Sequence, residues 1–307
     1  MLASPIRPPR LRPGDSVRVV ATSGPIFPEA FAPGKSLLAA RYRLSYDPKQ
    51  LFAADGFLAG PDPARLAALA EALRDREARA VFLGRGGHGL LRIVASLDPG
   101  LLRDNPKPIV GFSDGTVLLA FAAQAGVASI HGPVVTQLAR LGGGDHAALF
   151  SLLESPEPQV LLRELSPLRL GTAAGPLLGG NLEVFSRLLG TKHLPDLEGA
   201  ILFLEDVGER PYRIDRLLTH LELAGVFDQV AAVVLGDFVG CEEPAESKVA
   251  SPSAAAVVVE RLSRLRIPVA TGAAIGHGAR NRALPYGVRA ELDTSAGTLT
   301  SLEGAVS

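Results

Sequence analysis

The chain has no tryptophan, one methionine, one cysteine and four tyrosines in 307 residues. So few large aromatics offer little platform for stacking a nucleobase. The lone Cys241 excludes an intramolecular disulfide and any zinc site built from cysteines. No apolar run approaches the roughly 18 residues of a membrane span. The opening stretch Met1–Arg10 lacks the apolar core of a secretory signal, so the expected compartment is the cytoplasm. Charge of one sign is lacking too: 31 basic residues face 32 acidic ones. That balance argues against nucleic acid or a membrane surface as partner. No internal repeat is visible, and no H-E-x-x-H or comparable ligand spacing occurs, so no metal site is expected.

What is present centres on Pro108-Ile109-Val110-Gly111-Phe112-Ser113-Asp114-Gly115-Thr116. An apolar, β-leaning run meets a helical run, Val117–Ala125, with Ser113 at the junction and Gly111 and Gly115 two residues to either side. This is the G-x-S-x-G pattern of a nucleophile elbow, in which a tight turn lifts the serine oxygen above a strand end. The next N–H, that of Asp114, falls at a helix N-terminus, where unpaired N–H groups favour negative charge. Ser113-Asp114 would equally serve as a plain helix cap.

The length suggests two domains, and 47% hydrophobic residues suffice for two cores. Strands are expected at 15–21, 80–83, 108–112 and 127–133, alternating with helices at 35–40, 62–73, 90–94 and 117–125. Asp62 is read as the cap of the second helix, with Pro63 in its first turn. This βαβα order implies a parallel sheet with helices on both faces, a Rossmann-like or flavodoxin-like domain over residues 1–150. A Pro-rich polar stretch, 151–175, reads as a linker. Residues 176–307 read as a smaller mixed α/β domain. In it a helix opens at Leu177–Leu182 and runs through Leu189, Gly199–Leu204 is a buried strand, Tyr212–Leu223 is a helix closed by Gly225, and short strands fill 283–303.

A nucleophilic serine needs a general base and an orienting carboxylate. Of six histidines, His131 and His277 follow apolar strands in glycine-bearing loops, and spacing does not choose between them. Glu205 directly follows the apolar run Ala200–Leu204, where a carboxylate is costly unless it leaves the core or finds a partner. Asp206 and Glu209 are close rivals. Gly84-Arg85-Gly86-Gly87-His88-Gly89 has the G-x-G-x-x-G form of a dinucleotide fingerprint, with Asp104 twenty residues on. A nicotinamide oxidoreductase is therefore one alternative, although the loop follows a later strand and carries the bulky Arg85. Such a loop would serve equally well as a shelf of N–H donors for an oxyanion.

The ordered set of segments resembles the serine LD-carboxypeptidase family, to which microcin-immunity peptidases are related. The matching pieces are Leu11–Asp15, Gly56–Gly60, Arg85–Gly89, Pro106–Asp114, His131–Pro133, Gly179–Leu182, Leu204–Arg213 and Pro268–His277. They cover nearly the whole chain. The resemblance implies Ser113 as nucleophile, His277 as base and Glu205 as orienting acid. It implies an oxyanion site from the N–H of Asp114 with Gly86 or Gly87. Arg85, Asn181, Arg213 and Arg280 are candidate substrate-binding residues, an arginine being suited to a terminal carboxylate. Two departures stand out: His88 occupies a position where the family usually has Tyr, and 25–50 is short and poorly matched.

The activity implied is a cytoplasmic serine peptidase that cuts an L-to-D bond in a muropeptide tetrapeptide during cell-wall recycling and releases D-alanine. No metal or organic cofactor is implied, and a homodimer is. A microcin-type peptidase acting on an acyl-adenylate amide and a non-catalytic peptide-binding descendant are the remaining alternatives. Because Ser113 lies in the first half and Glu205 and His277 in the second, the site is expected to form between the two.

Overall fold

The structure, a computed structural model, describes residues 4–244, 246–247 and 251–307. Two sheets organise it. The first holds β1 (Ser16–Val20), β2 (Arg43–Ser45), β3 (Ala80–Leu83), β4 (Ile109–Gly111) and β5 (Ser129–His131), all parallel, in the order β2-β1-β3-β4-β5. That is the flavodoxin-like order, whose strand direction of growth switches between β1 and β3. β3 is apolar at every position and all four residues are fully buried, as a central parallel strand covered on both faces requires.

The second sheet draws on β6 (Val160–Leu162), β7 (Ser166–Arg169), β8 (Thr172–Asn181), β9 (Ile201–Val207), β10 (Ala232–Val239) and β11 (Val269–Thr271). After β12 (Leu284–Tyr286) come β13 (Arg289–Asp293) and β14 (Thr298–Ser301), which complete it. Its order is β6-β14-β13-β8-β9-β10-β11-β7, with β8 to β11 parallel and the other neighbours antiparallel. β12 does not join it. It pairs antiparallel with β5 and closes the edge of the first sheet.

Several expectations of local structure change. Residues 151–175, read as a linker, carry the end of helix Gly143–Glu154, both β6 and β7, and the start of β8. These two edge strands make the second sheet, with eight strands, larger than the first, with six. Leu177–Asn181, read as a helix start, is the end of β8, paired with Ile201–Glu205 of β9. Only Leu182–Ser186 is helical, capped by Asn181, whose side chain accepts from the Val184 N–H. The first helix is longer than expected, Pro28–Ala39, and Asp62 is the first helical residue of Asp62–Arg74 rather than its cap.

The helix that follows β4, Thr116–Gln124, has every residue from Thr116 to Ala122 buried. A helix apolar all round belongs inside. It packs on β4, β5 and β8 and so lies between the two sheets. Its N-terminus, where Ser113 sits, therefore points into the seam where the C-terminal ends of both parallel sets open. No helix among the described residues is long and apolar enough to cross a membrane.

Candidate active site

The turn after β4 is tight. Phe112 is extended, and Ser113 has φ 61°, one of two non-glycine residues in the left-handed region among the described residues. That conformation is disfavoured for a residue with a Cβ and persists where the surroundings impose it. Ser113 to Gly115 then form a single 3₁₀ turn that leads into helix Thr116–Gln124. The Ser113 side chain is half-buried, and its hydroxyl has no hydrogen-bond partner among the described residues. The Asp114 carboxylate turns inward instead. It is buried, accepts from the Leu90 N–H at 2.9 Å, and is pushed above the usual carboxylate range by that burial.

The glycine loop after β3 faces this turn. A Cβ at Gly86 would stand 2.9 Å from Ser113 Oγ and 2.8 Å from its Cβ. Gly86 accepts from the Gly24 N–H at 3.0 Å, which ties the loops after β1 and β3 together at the switch point of the sheet. The N–H groups of Gly86 and Gly87 donate to nothing among the described residues. Buried Arg65 braces the same region by donating to the carbonyls of Thr22 and Gly60 and to the Asp62 carboxylate. A loop occupied in this way with the serine turn does not favour the dinucleotide reading of Gly84–Gly89.

From the second sheet come an acid and an imidazole. Glu205 is the fifth residue of β9 and is fully buried. Its Oε2 lies 2.7 Å from His277 Nδ1, and its Oε1 accepts from Asn181 Nδ2 at 3.3 Å. His277 is about one-fifth exposed, and its ring stacks at 4.7 Å, tilted, on Phe112, the neighbour of Ser113. The two halves of the chain are thereby brought to one place. Gly276 (φ 107°) lies against the Glu205 carboxylate so closely that a Cβ there would overlap it. Only glycine allows both the backbone angle and the approach.

Asn181 is 4% exposed and its amide is committed. Nδ2 donates to Glu205 and, at 2.9 Å, to Asp206 Oδ1, while Oδ1 caps the following helix. Asp206 also accepts from the N–H groups of Glu183 and Val207, and burial pushes its carboxyl up to about 6. Glu209 pairs with Arg213 at 3.4 Å on the surface. Arg85 is exposed and donates to the Pro25 carbonyl. Arg280 is exposed and makes no ion pair among the described residues. His88 is exposed, its ring 5.7 Å from that of Phe57.

His131, the other histidine in a glycine-bearing loop, is fully buried between Phe112 and Phe203, with ring centroids 6.0 and 4.9 Å away. Neither ring nitrogen has a hydrogen-bond partner, and burial lowers its pKa to about 3. It is held neutral and out of reach of solvent.

Two residues that the sequence did not single out hold the His277 loop. Gln137 Nε2 donates to the Gly276 carbonyl at 3.0 Å. Asn281 Nδ2 donates to Gln137 Oε1 at 2.8 Å, and its Oδ1 accepts from the Gly276 N–H at 3.0 Å. Both are buried. A polar residue in the apolar turn Val134–Leu138 was the available signal for Gln137. The described residues contain no cluster of three or more His, Cys, Asp or Glu arranged to hold a metal. A cleft of about 860 Å³ lies at the opposite end of β8, bordered by Gly126, Gly175, Pro176 and Glu198, and includes none of these residues.

Serine turn, glycine loop, imidazole and buried carboxylate together suit acyl transfer by a serine hydrolase. Comparisons with known proteins point the same way. The family model of the LD-carboxypeptidase N-terminal domain matches residues 17–132, and that of the C-terminal domain matches residues 174–292. A probable murein peptide carboxypeptidase of Bacillus subtilis (strain 168) is 34% identical over 298 residues, covering 94% of this chain and 92% of its own. The crystal structure of a muramoyltetrapeptide carboxypeptidase from Oxalobacter formigenes superimposes with a TM-score of 0.80 at 28% identity, over 94% of this chain and 98% of that one. The microcin-immunity protein MccF, solved with glutamyl sulfamoyl guanosine, gives a TM-score of 0.88 over 99% of this chain and 100% of that one. Its identity is 22%, a likeness of fold.

Proposed function

The chain belongs to the LD-carboxypeptidase family, and on that premise we propose that it removes the terminal D-alanine of a murein tetrapeptide by cutting the L-to-D bond. It is a serine-type carboxypeptidase, a hydrolase. The observation that carries the finer reading is the 2.7 Å contact between His277 Nδ1 and buried Glu205, with the His277 ring packed on Phe112, the residue before a serine held at φ 61°.

In this reading Ser113 Oγ attacks the carbonyl carbon of the L-residue while His277 Nε2 takes its proton. Glu205 accepts from Nδ1–H, which fixes the tautomer and stabilises the imidazolium. Negative charge on the former carbonyl oxygen meets the N–H of Asp114 and that of Gly86 or Gly87. The tetrahedral adduct collapses, the C–N bond breaks, and His277 returns the proton to the amine of D-alanine. Water then attacks the acyl-serine ester with His277 again as base, which frees the shortened peptide and restores the Ser113 hydroxyl. A nucleotide-linked amide is not favoured as substrate, since the murein peptide carboxypeptidase of Bacillus subtilis matches more of this chain, and at higher identity, than MccF does. The proposal includes a cytoplasmic location and a homodimer, tested by cell fractionation and by light scattering.

The direct test is incubation of the protein with a muropeptide tetrapeptide, following free D-alanine and the tripeptide. Stoichiometric release by the wild type and none by Ser113→Ala is the expected result. A wild type that leaves the tetrapeptide intact would overturn the proposal.

A further inference from the structure

Phe112 stands between the two halves of the site. Its backbone leads straight into the serine turn. It is extended, and its carbonyl accepts from the Gly115 N–H at 3.0 Å, which closes the turn around Ser113. Its ring is buried and lies 4.7 Å from the His277 ring, centroid to centroid, tilted by 52°. Phe112 therefore meets the serine through the chain and the imidazole through packing. Behind it runs a row of rings drawn from both sheets. His131 is 6.0 Å from Phe112, Phe203 is 4.9 Å from His131, and Tyr286 is 6.0 Å from Phe203. The row ends on Gly179, whose carbonyl accepts from the Tyr286 hydroxyl at 3.2 Å. All four side chains are buried, and in a close-packed interior Phe112 has no room to retreat from His277.

The His277 ring needs such a support. Its chain neighbours are Gly276 and Gly278, which have no side chains to pack against it. Among the described residues its ring makes one hydrogen bond, from Nδ1 to Glu205. That bond fixes one point of the ring. An imidazole held at one nitrogen still swings about the contact, and the swing carries Nε2 through an arc. A second ring packed against it removes that freedom. The tolerance is small, since a misplacement of about 1 Å can cost about 100-fold in rate.

We propose that Phe112 is a positioning residue for the acyl transfer, its ring holding the His277 imidazole with Nδ1 on Glu205 and Nε2 toward Ser113. The inference rests on the peptidase reading above and adds to it a residue that acts through His277. It gives a reason for a buried ring directly before the serine. One residue sets the nucleophile by its backbone and the base by its side chain, so groups from the two halves of the chain share one reference point. Tyrosine at this position keeps the ring. Leucine or methionine fills much of the volume but presents no flat face to the imidazole.

The experiment compares the wild type with Phe112→Leu, Phe112→Met and Phe112→Tyr, and with Phe227→Leu as a control. Phe227 is buried on the short helix Val226–Gln229, which meets Gly199 at the other end of β9. Its replacement costs core packing away from the site. Two readouts are taken: the low-field proton resonance of His277 Nδ1–H on Glu205, recorded without substrate, and D-alanine release from the tetrapeptide. In the Leu and Met variants the resonance should broaden or vanish, and kcat should fall by roughly 10- to 100-fold with KM within about threefold of wild type. Phe112→Tyr should keep the resonance, with kcat within about threefold of wild type. Phe227→Leu should lower Tm and leave both readouts in place. A folded Leu or Met variant with the resonance and kcat of the wild type overturns the inference. So does a folded Phe112→Tyr that loses the resonance, or a Phe227→Leu that loses as much kcat as the Phe112 variants, which would mark general loss of packing. A wild type that releases no D-alanine would instead sink the peptidase reading, and the resonance would still report whether Phe112 holds His277.

Discussion

Gly86 meets Ser113 face to face, with a Cβ at position 86 placed 2.9 Å from the Ser113 hydroxyl oxygen. The two residues belong to different loops, after β3 and after β4, and each constrains the other. Added bulk at 86 has no soft neighbour to displace, because its contacts are Ser113 and the Asp114 N–H. Gly86→Ala should therefore push the serine oxygen off its line and obstruct the N–H shelf. The expected loss in kcat on the tetrapeptide is at least about 100-fold, the scale of one lost oxyanion donor. Far-UV circular dichroism should stay unchanged, since the loop lies outside the core. A variant with near wild-type kcat would show that the shelf lies elsewhere.

Glu205 is buried at the end of β9 and holds His277 from the far side of the ring. Glu205→Gln keeps the shape but offers an amide that does not stabilise the imidazolium. A loss in kcat of roughly 10,000-fold is expected, with KM little changed. Residues that act as one unit are not additive, so Glu205→Gln in a Ser113→Ala background should cost almost nothing further. Steady-state kinetics on the two single variants and the double variant checks this. Independent, multiplicative losses would separate Glu205 from the serine.

Much of this was legible in the chain itself. Ser113 could be read because the elbow compresses strand, turn and helix into a few residues, so its geometry is local. Glu205 could be read because an acid directly after five apolar residues, Ala200–Leu204, needs a reason. His277 could not be told from His131 by spacing. The difference is whether the ring finds a carboxylate or two phenylalanines, and that depends on how the two sheets meet. Gln137 and Asn281 escaped for the same reason, being 144 residues apart in sequence. The strands β6 and β7 are short edges in a proline-rich stretch, held by partners far along the chain. Leu177–Asn181 has no β-branched residue and looks helical; its strand form comes from lying beside β9.

His131 ties stability to pH. Burial holds the folded imidazole near pKa 3, against about 6.5 when free. Between those values the unfolded chain binds a proton that the folded chain refuses, so stability rises with pH. The contribution is complete above about pH 6.5 and is lost progressively as the pH falls towards 3. The slope from this one group reaches up to about 1.4 kcal/mol per pH unit. His131→Leu should remove it. Urea midpoints at pH 7.5 and pH 5 should differ less in the variant than in the wild type. An equal difference in both proteins would mean that His131 does not titrate as its burial requires.

Gln137 connects the two halves at the one loop where they must agree. It stands on the short helix Val135–Leu138 of the first half, yet its amide bonds Gly276 and Asn281, which frame His277. Gln137→Met keeps similar volume and removes both bonds, leaving the Gly276 carbonyl and the Asn281 amide unpaired in a buried site. Each buried orphan costs roughly 1–3 kcal/mol, so Tm should fall by several degrees. The His277 loop would also lose its register on Glu205. Since a misplacement of about 1 Å can cost about 100-fold, kcat should fall by roughly 10- to 100-fold with little change in KM. Gln137→Glu sharpens the test. It keeps an acceptor for Asn281 but sets a second acceptor against the Gly276 carbonyl, so at neutral pH it should be the worse of the two. Thermal melts and steady-state kinetics on both variants decide it. A stable, fully active Gln137→Met would show that the loop is held by Glu205 and Asn281 alone.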